Sequence, residues 1–267
     1  MQPLPNAACT ADQLRALARA PFPPTIIDVR RRAAFERDPV RLPMALRREP
    51  EAVEKWAVEL EPWRPVVAYC VHGHEVSQNA ATALRERGFD ATFLEGGLEH
   101  WRESGGPVEP WAPPTRWVTR ARPKIDRIAC PWLVRRFVDA SAEVFYVAPK
   151  EVLAFAKANE AVPFDVPDVE YTHDGERCSF DAFVDRHAAE DKALHALADI
   201  VRAADTDTLD RSQPAAGLLA VSLGLGRGLA DDAALMKHGM LVYDALYAWC
   251  RESRGERHGW DPVALRS

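Results

Sequence analysis

The sequence has little cysteine: five residues in 267, an odd number scattered from Cys9 to Cys250. That excludes a disulfide framework and points to a reducing cytoplasm, where a free thiol can do chemistry. It has no apolar run near the length of about 18 residues that a membrane span needs. Met1 to Thr10 contains neither Lys nor Arg and no apolar core, so no secretory signal is expected there. An excess of basic residues is also missing. Up to Pro110 there are 14 basic and 16 acidic residues, and after it 20 and 24. Neither half has the electrostatic footprint of a nucleic-acid binder. No internal repeat and no low-complexity segment is visible. What remains is an ordinary globular composition, 47% hydrophobic and 28% charged, in a chain long enough for two domains.

Gly105 to Pro114 holds four prolines and two glycines, which oppose both helix and internal strand. A domain of residues 10–108, a proline-rich linker of 109–115 and a domain of 116–252 are expected, the two domains folding independently. In the first, Thr10-Ala11-Asp12-Gln13 is a capping-box pattern opening a helix. Strands are predicted at Thr25–Val29, Pro65–Tyr69 and Ala91–Leu94. Helices are predicted at Glu51–Leu60, Val76–Arg87 and Leu98–Arg102, with Gly88 closing the second of these. This alternation predicts an α/β domain with a parallel sheet and helices on both faces. The second part reads as a helix-rich α+β domain. Its helices are expected at Ile128–Val138, Pro149–Ala158, Ser179–His187, Asp191–Ala204, Pro214–Leu223 and Asp232–Trp249. Its strands are expected only at Arg116–Thr119, Glu143–Val147 and Val169–Thr172.

The sharpest chemical feature is Val66-Val67-Ala68-Tyr69-Cys70-Val71-His72-Gly73-His74-Glu75-Val76-Ser77. A hydrophobic strand ends at a cysteine, and a polar loop with a central glycine leads into a helix. Ligands bind beyond the carboxyl ends of strands in such sheets. Loop amides and a helix N-terminus favour a thiolate and would cradle an oxyanion. Cys70 is therefore the candidate nucleophile, with Gly73 and Ser77 in the binding loop. The competing reading is a cysteine that merely ends a core strand. His72 and His74 either donate to an anion or are solvated loop side chains.

These residues resemble the rhodanese-like family over roughly residues 10–108. The resemblance rests on Ile26-Ile27-Asp28-Val29-Arg30, the Cys70 loop, and Leu94-Glu95-Gly96-Gly97-Leu98-Glu99-His100-Trp101. It implies a sulfurtransferase in which the loop cysteine takes a sulfane sulfur from a donor, holds it as a persulfide and passes it to a thiol or cyanide. It implies no cofactor, and it gives Asp28 and Arg30 an architectural role. Catalytic members commonly carry an arginine late in the loop, where this chain has Glu75-Val76-Ser77. The usual His-Ile-Pro-Gly run is replaced by Asp38-Pro39-Val40-Arg41-Leu42-Pro43. These departures make thiosulfate a poor expected donor and leave a low-molecular-weight persulfide or another oxyanion as the alternatives.

In the second part, Lys124, Asp126 and Arg127 precede an amphipathic helix, read as a surface ion-pair set in preference to an anion site. Glu170, His173, Cys178 and Asp181 are metal-capable types within twelve residues. Their spacing is not that of a zinc finger. His173, Cys178 and Asp181 are the expected ligands for iron, manganese or zinc, with Glu170 weaker and Asp205 a distant addition. Asp181 as an early-turn helix acid and Cys178 as plain core are the alternatives. His195 is expected to pair with Asp191, and His238 to be a satisfied core histidine.

From Arg116 to Trp249 the chain is similar to the C-terminal domain of the ChrB-type chromate-resistance family. The marks are Lys124-Ile125-Asp126-Arg127-Ile128-Ala129-Cys130-Pro131-Trp132-Leu133, Pro163-Phe164-Asp165, His173 with Cys178 and Phe180-Asp181, Ile200 to Thr206, Ala216-Gly217-Leu218, and Tyr243 to Tyr247. The resemblance implies a stress-response link to chromate without fixing a reaction. Together the two halves imply sulfur transfer through Cys70 coupled to a chromate-response domain. The expected partners are a small sulfur donor or oxyanion and a thiol acceptor, with neither nucleic acid nor membrane. The alternatives are a non-catalytic oxyanion or redox sensor, and a metal-dependent enzyme acting on reactive oxygen species.

Overall fold

The computed structural model describes residues 8–256. Most of the N-terminal stretch read for a signal lies outside them. The first unit runs β1 (Ala8–Cys9), α1 (Ala11–Leu17), β2 (Thr25–Asp28), α2 (Arg32–Arg37), β3 (Val40–Arg41), β4 (Leu46–Arg47), α3 (Val53–Trp56), β5 (Val66–Tyr69), α4 (Glu75–Arg85), β6 (Ala91–Leu94), α5 (Gly97–Glu103) and β7 (Glu109–Pro110). Five strands form one sheet in the order β1-β6-β5-β2-β4, parallel at every pairing. Alternate residues of β5 serve opposite faces, as strand geometry requires. Val66 and Ala68 join a core with Ile27, Trp56 and Leu84. Val67 and Tyr69 join another with Leu14, Leu94 and Trp101. This is the expected doubly covered sheet. The Thr10 capping box forms, with Gln13 N–H donating to the threonine hydroxyl and Thr10 N–H to the glutamine side chain.

The helix expected over Glu51–Leu60 is instead α3 flanked by 3₁₀ turns at Pro50–Ala52 and Ala57–Glu59. The linker also differs from expectation. Its start, β7, pairs antiparallel with β3, Trp111 N–H donates to Pro39 O, and the Trp111 ring packs edge-on to Phe35. Prolines suit such an edge because they need donate nothing to a ladder.

The second unit runs β8 (Arg116–Arg120), α6 (Asp126–Leu133), β9 (Glu143–Val147), α7 (Val152–Asn159), β10 (Val162–Pro163), α8 (Ser179–His187), α9 (Lys192–Asp205), α10 (Ala215–Gly228) and α11 (Asp232–Ala248). Its sheet is parallel, in the order β10-β8-β9, and its core gathers Trp132, Phe180, Phe183, Leu197 and Tyr243. Val169–Thr172 does not form the expected strand. Asp168 lies at φ +62°, a left-handed turn, and only Tyr171 bridges back to Phe164. Among the described residues no helix is long and apolar enough to cross a membrane.

Asp244 of α11 joins the units. One carboxylate oxygen accepts from Trp132 Nε1 and Arg136 Nε, both at 2.8 Å. The other accepts from Arg136 at 2.8 Å and from Trp63 Nε1 of the first unit at 3.2 Å. Arg136 also donates to Glu61 at 2.6 Å. Burial alone would raise the Asp244 pKa, but the Arg136 and Trp132 hydrogen bonds and the Arg136 charge hold it below the usual aspartate value. A depressed acid contributes stability that is present above its unfolded pKa and is lost as pH falls through the folded one. Asp244→Asn, similar in shape but uncharged, should therefore cost about 2 kcal/mol at neutral pH. The difference should shrink below about pH 4. Denaturant melts of both proteins at pH 7 and pH 3 check this, and a pH-independent difference would contradict it.

Candidate functional site

Cys70 stands where β5 ends, and the loop after it leads into α4, whose first turn has no side-chain cap. The residue is 6% exposed. Its Sγ lies 3.2 Å from Ser77 Oγ and 4.0 Å from His74 O. Among the described residues the amides of Val71, His72, Gly73 and His74 donate to no protein acceptor. With the uncapped start of α4 they leave the loop after Cys70 with unengaged donors, and such donors can stabilise an anion.

The next strand-to-helix turn, through Gly97, holds this loop in place against Gly73. Leu98 N–H donates to Cys70 O at 2.9 Å, and Glu99 N–H to Val71 O at 3.1 Å. Gly73 sits at φ +69° and Gly97 at φ +59°, and their backbones meet. A Cβ on Gly73 would lie 2.5 Å from Leu94 O, and one on Gly97 2.5 Å from Cys70 O and Gly73 N. Only glycine allows both the conformation and the approach.

The expected loop residues thus come together as Cys70, Gly73 and Ser77. The histidines hold the rim: His72 Nδ1 pairs with Glu99 at 3.0 Å, both half exposed, and His74 is the exposed residue before α4. Glu75 is exposed in the first turn of that helix. Burial pushes the Cys9 and Cys130 thiols up, takes Cys250 up to about 11, and raises Cys178 further. Those four thiols are poor nucleophiles at neutral pH. Asp28 and Arg30 form a buried ion pair at 2.6 Å under the sheet's carboxyl edge, in the expected architectural place.

A second cluster forms in the other unit, with partners other than those expected. His173 Nε2 lies 3.4 Å from Asp126, 3.4 Å from Asp165 and 3.3 Å from Asp205. Donor atoms of Asp126, His173 and Asp205 lie within 4.8 Å of one another, so these are the residues that could together hold a metal ion. Asp181 is elsewhere. It accepts from Cys178 N–H at 2.9 Å and from Arg202 Nε at 2.9 Å, so it is the helix-capping acid of α8. Cys178 is fully buried and its Sγ is outside the gathered donor set. Glu170 pairs on the surface with Arg186.

Asp126, read as a surface charge, is buried at the first position of α6. The residue before it, Ile125, is held at φ +36°, which is costly for a β-branched side chain. Asp165 is also left-handed, at φ +53°. Its carboxylate takes Arg120, Arg127 and the Ser179 hydroxyl. Burial, and then the charge of Asp126, pushes the Asp205 pKa up to about 7. The Asp126 contact, followed by the charges of Asp205 and Asp165, raises the His173 pKa against burial.

The remaining histidines also differ from expectation. His195 bonds Ala189 O while Asp191 caps α9 and accepts from Tyr247. His238 is exposed and bonds Ala234 O.

Fold and loop together define a parallel α/β domain with one cysteine at a strand exit, and residues 10–104 match the rhodanese-like domain model. Residues 117–250, half of the chain, match the model described as ChrB, C-terminal domain. The chain belongs to that family, with a rhodanese-like domain ahead of it. It is 32% identical over 133 residues to Protein ChrB of Cupriavidus metallidurans, covering 49% of this chain and 40% of that protein. It is 37% identical over 60 residues to thiosulfate sulfurtransferase GlpE of Actinobacillus pleuropneumoniae, covering 22% of this chain and 55% of that one. The chain thus spans about half the length of these relatives. A rhodanese-related protein from Thermoplasma volcanium superposes with a TM-score of 0.34 at 24% identity, over 38% of this chain and 96% of that one. A rhodanese-like domain protein from Staphylococcus aureus gives 0.34 at 23%, over 39% and 98%.

Proposed function

We propose that the chain is a sulfurtransferase in which Cys70 carries a persulfide, and that the second domain couples this chemistry to the response to chromate. The carrying observation is the Cys70 thiol at a strand exit, beside Ser77 Oγ at 3.2 Å and a loop of unengaged amides. The thiolate attacks the outer sulfur of a sulfane donor. A new S–S bond forms to Cys70, the donor's own bond to that sulfur breaks, and its remainder leaves with the electron pair. With thiosulfate the leaving group is sulfite. An acceptor thiolate or cyanide then attacks the outer sulfur and the Cys70 thiolate is released, so no external oxidant is needed. Loop amides stabilise the persulfide anion between the two steps. The GlpE likeness supports the same reading.

Incubation with thiosulfate, or with a cysteine persulfide, should make the Cys70 peptide one sulfur atom heavier by mass spectrometry. Cyanide should remove that sulfur, and Cys70→Ala should not acquire it. An unmodified Cys70 with both donors would overturn the reading. A second reading, a redox sensor without turnover, is favoured by Glu75 in the first turn of α4, where its charge opposes an anionic donor. It expects Cys70 to be oxidised reversibly by peroxide, with no sulfur taken up from either donor.

A further inference from the structure

We propose that Asp126, His173 and Asp205 form a binding site for one divalent first-row transition cation, with Mn(II) the ion that best fits the donors. The site stands independently of the sulfur chemistry. Three observations carry it, beginning with geometry. One imidazole nitrogen and two carboxylate oxygens from α6, the loop after β10 and the end of α9 lie within 4.8 Å of one another. A cation placed among them would need only small movements to reach distances near 2 Å.

Burial is the second observation. The Asp126 side chain is 3% exposed, and its Oδ2 has no hydrogen-bond partner. That oxygen faces His173 Nε2 at 3.4 Å, a contact outside hydrogen-bond geometry. A buried unpartnered carboxylate oxygen is costly. An ion-pair network built only for stability would have supplied it with a donor.

The third is charge. Asp126, Asp165 and Asp205 cluster around one imidazole, while Arg120 and Arg127 both spend their charge on Asp165. Among the described residues the only basic group within ion-pair reach of Asp126 or Asp205 is His173. As ligands, two carboxylates and a neutral imidazole balance a dication. Asp165, already paired with Arg120 and Arg127, lies 3.4 Å from the same Nε2 and adds to the negative charge around it.

Oxygen donors with a single nitrogen select a hard or borderline ion over a thiophilic one. The His173 side chain is 41% exposed, so the site opens to solvent on that side. Water or a small anion would fill the remaining positions there.

The test is titration of Mn(II) into the full chain, purified without a histidine tag. Binding is read by loss of the sharp electron-paramagnetic signal of aqueous Mn(II). One equivalent should bind. Asp205→Asn and His173→Ala should each weaken binding by about tenfold or more, in protein with unchanged circular dichroism. Asp126→Asn should do the same. If that buried variant does not fold, the partly exposed Asp205 and His173 still decide the matter. Glu170→Gln, on the surface, should bind like the parent. Absence of binding by the parent chain, or parental affinity in both Asp205→Asn and His173→Ala, would overturn the site.

Discussion

Gly97→Ala should destabilise the first domain by about 3 kcal/mol or more, combining left-handed strain with overpacking. The two contributions can be separated. Residue 97 is at φ +59°, and an added Cβ meets Cys70 O and Gly73 N at 2.5 Å and Val71 O at 2.6 Å. All three are backbone atoms, so no rotamer change relieves the overlap. Gly88, at φ +86°, has nothing within 4 Å of its own added Cβ. Gly88→Ala therefore carries the conformational cost alone, about 1–2 kcal/mol. Thermal melts of the two variants should differ, with the larger loss in Gly97→Ala. That variant alone should also slow persulfide formation at Cys70, because Leu98 and Glu99 no longer hold the loop carbonyls. Equal losses in the two glycine variants would show that the close approach is not what fixes the loop.

Asp28→Ala should cost about 3–5 kcal/mol, the usual effect of leaving a buried ion without its partner. Both side chains are 1% exposed. The Asp28 carboxylate accepts from Arg30 Nε at 3.0 Å and Nη2 at 2.6 Å, and also takes the Arg30 amide. Arg30 further donates to Asp38 O and Val40 O, so it pins the chain entering β3. In Asp28→Ala the guanidinium keeps those carbonyls and loses its counter-charge. Arg30→Met removes the charge and the carbonyl bonds together. The double variant should be more stable than the sum of the single losses predicts, by roughly 0.5–3 kcal/mol. Urea melts of the four proteins form the cycle. A single-variant loss under about 1 kcal/mol would mean that water reaches the pair.

The cysteine site was legible because its parts are contiguous. Strand, Cys70, Gly73 and helix follow one another within a dozen residues, and local periodicity fixes their order. The second cluster was not legible because its parts are not contiguous. Asp126, Asp165, His173 and Asp205 come from three segments, α6, the loop between β10 and α8, and the end of α9, and only their packing brings them together. Proximity in sequence instead favoured Cys178 and Asp181. Those two do interact, but as a cap, through Cys178 N–H and the Asp181 carboxylate. Asp126 sits between Lys124 and Arg127, so it read as one charge of a solvated group. The faint signal was its apolar flanks, Ile125 and Ile128, both buried. The missing strand at Val169–Thr172 follows from Asp168, whose left-handed turn breaks the extended run that β-branched residues alone suggested.

The pairing of β7 with β3 shortens the tether between the units. With Trp111 fixed against Phe35, only Ala112 to Thr115 connect them before β8, about 14 Å even when fully extended. A leash that short confines the second unit to a small volume, equivalent to a local concentration in the millimolar range or above. Loss of the Asp244 contacts would therefore leave the halves held by that tether and by the bonds from Arg251 to Arg19 O and Ala20 O and from Lys237 to Val58 O, without parting. Cys70 and the acidic cluster would still diffuse as one particle.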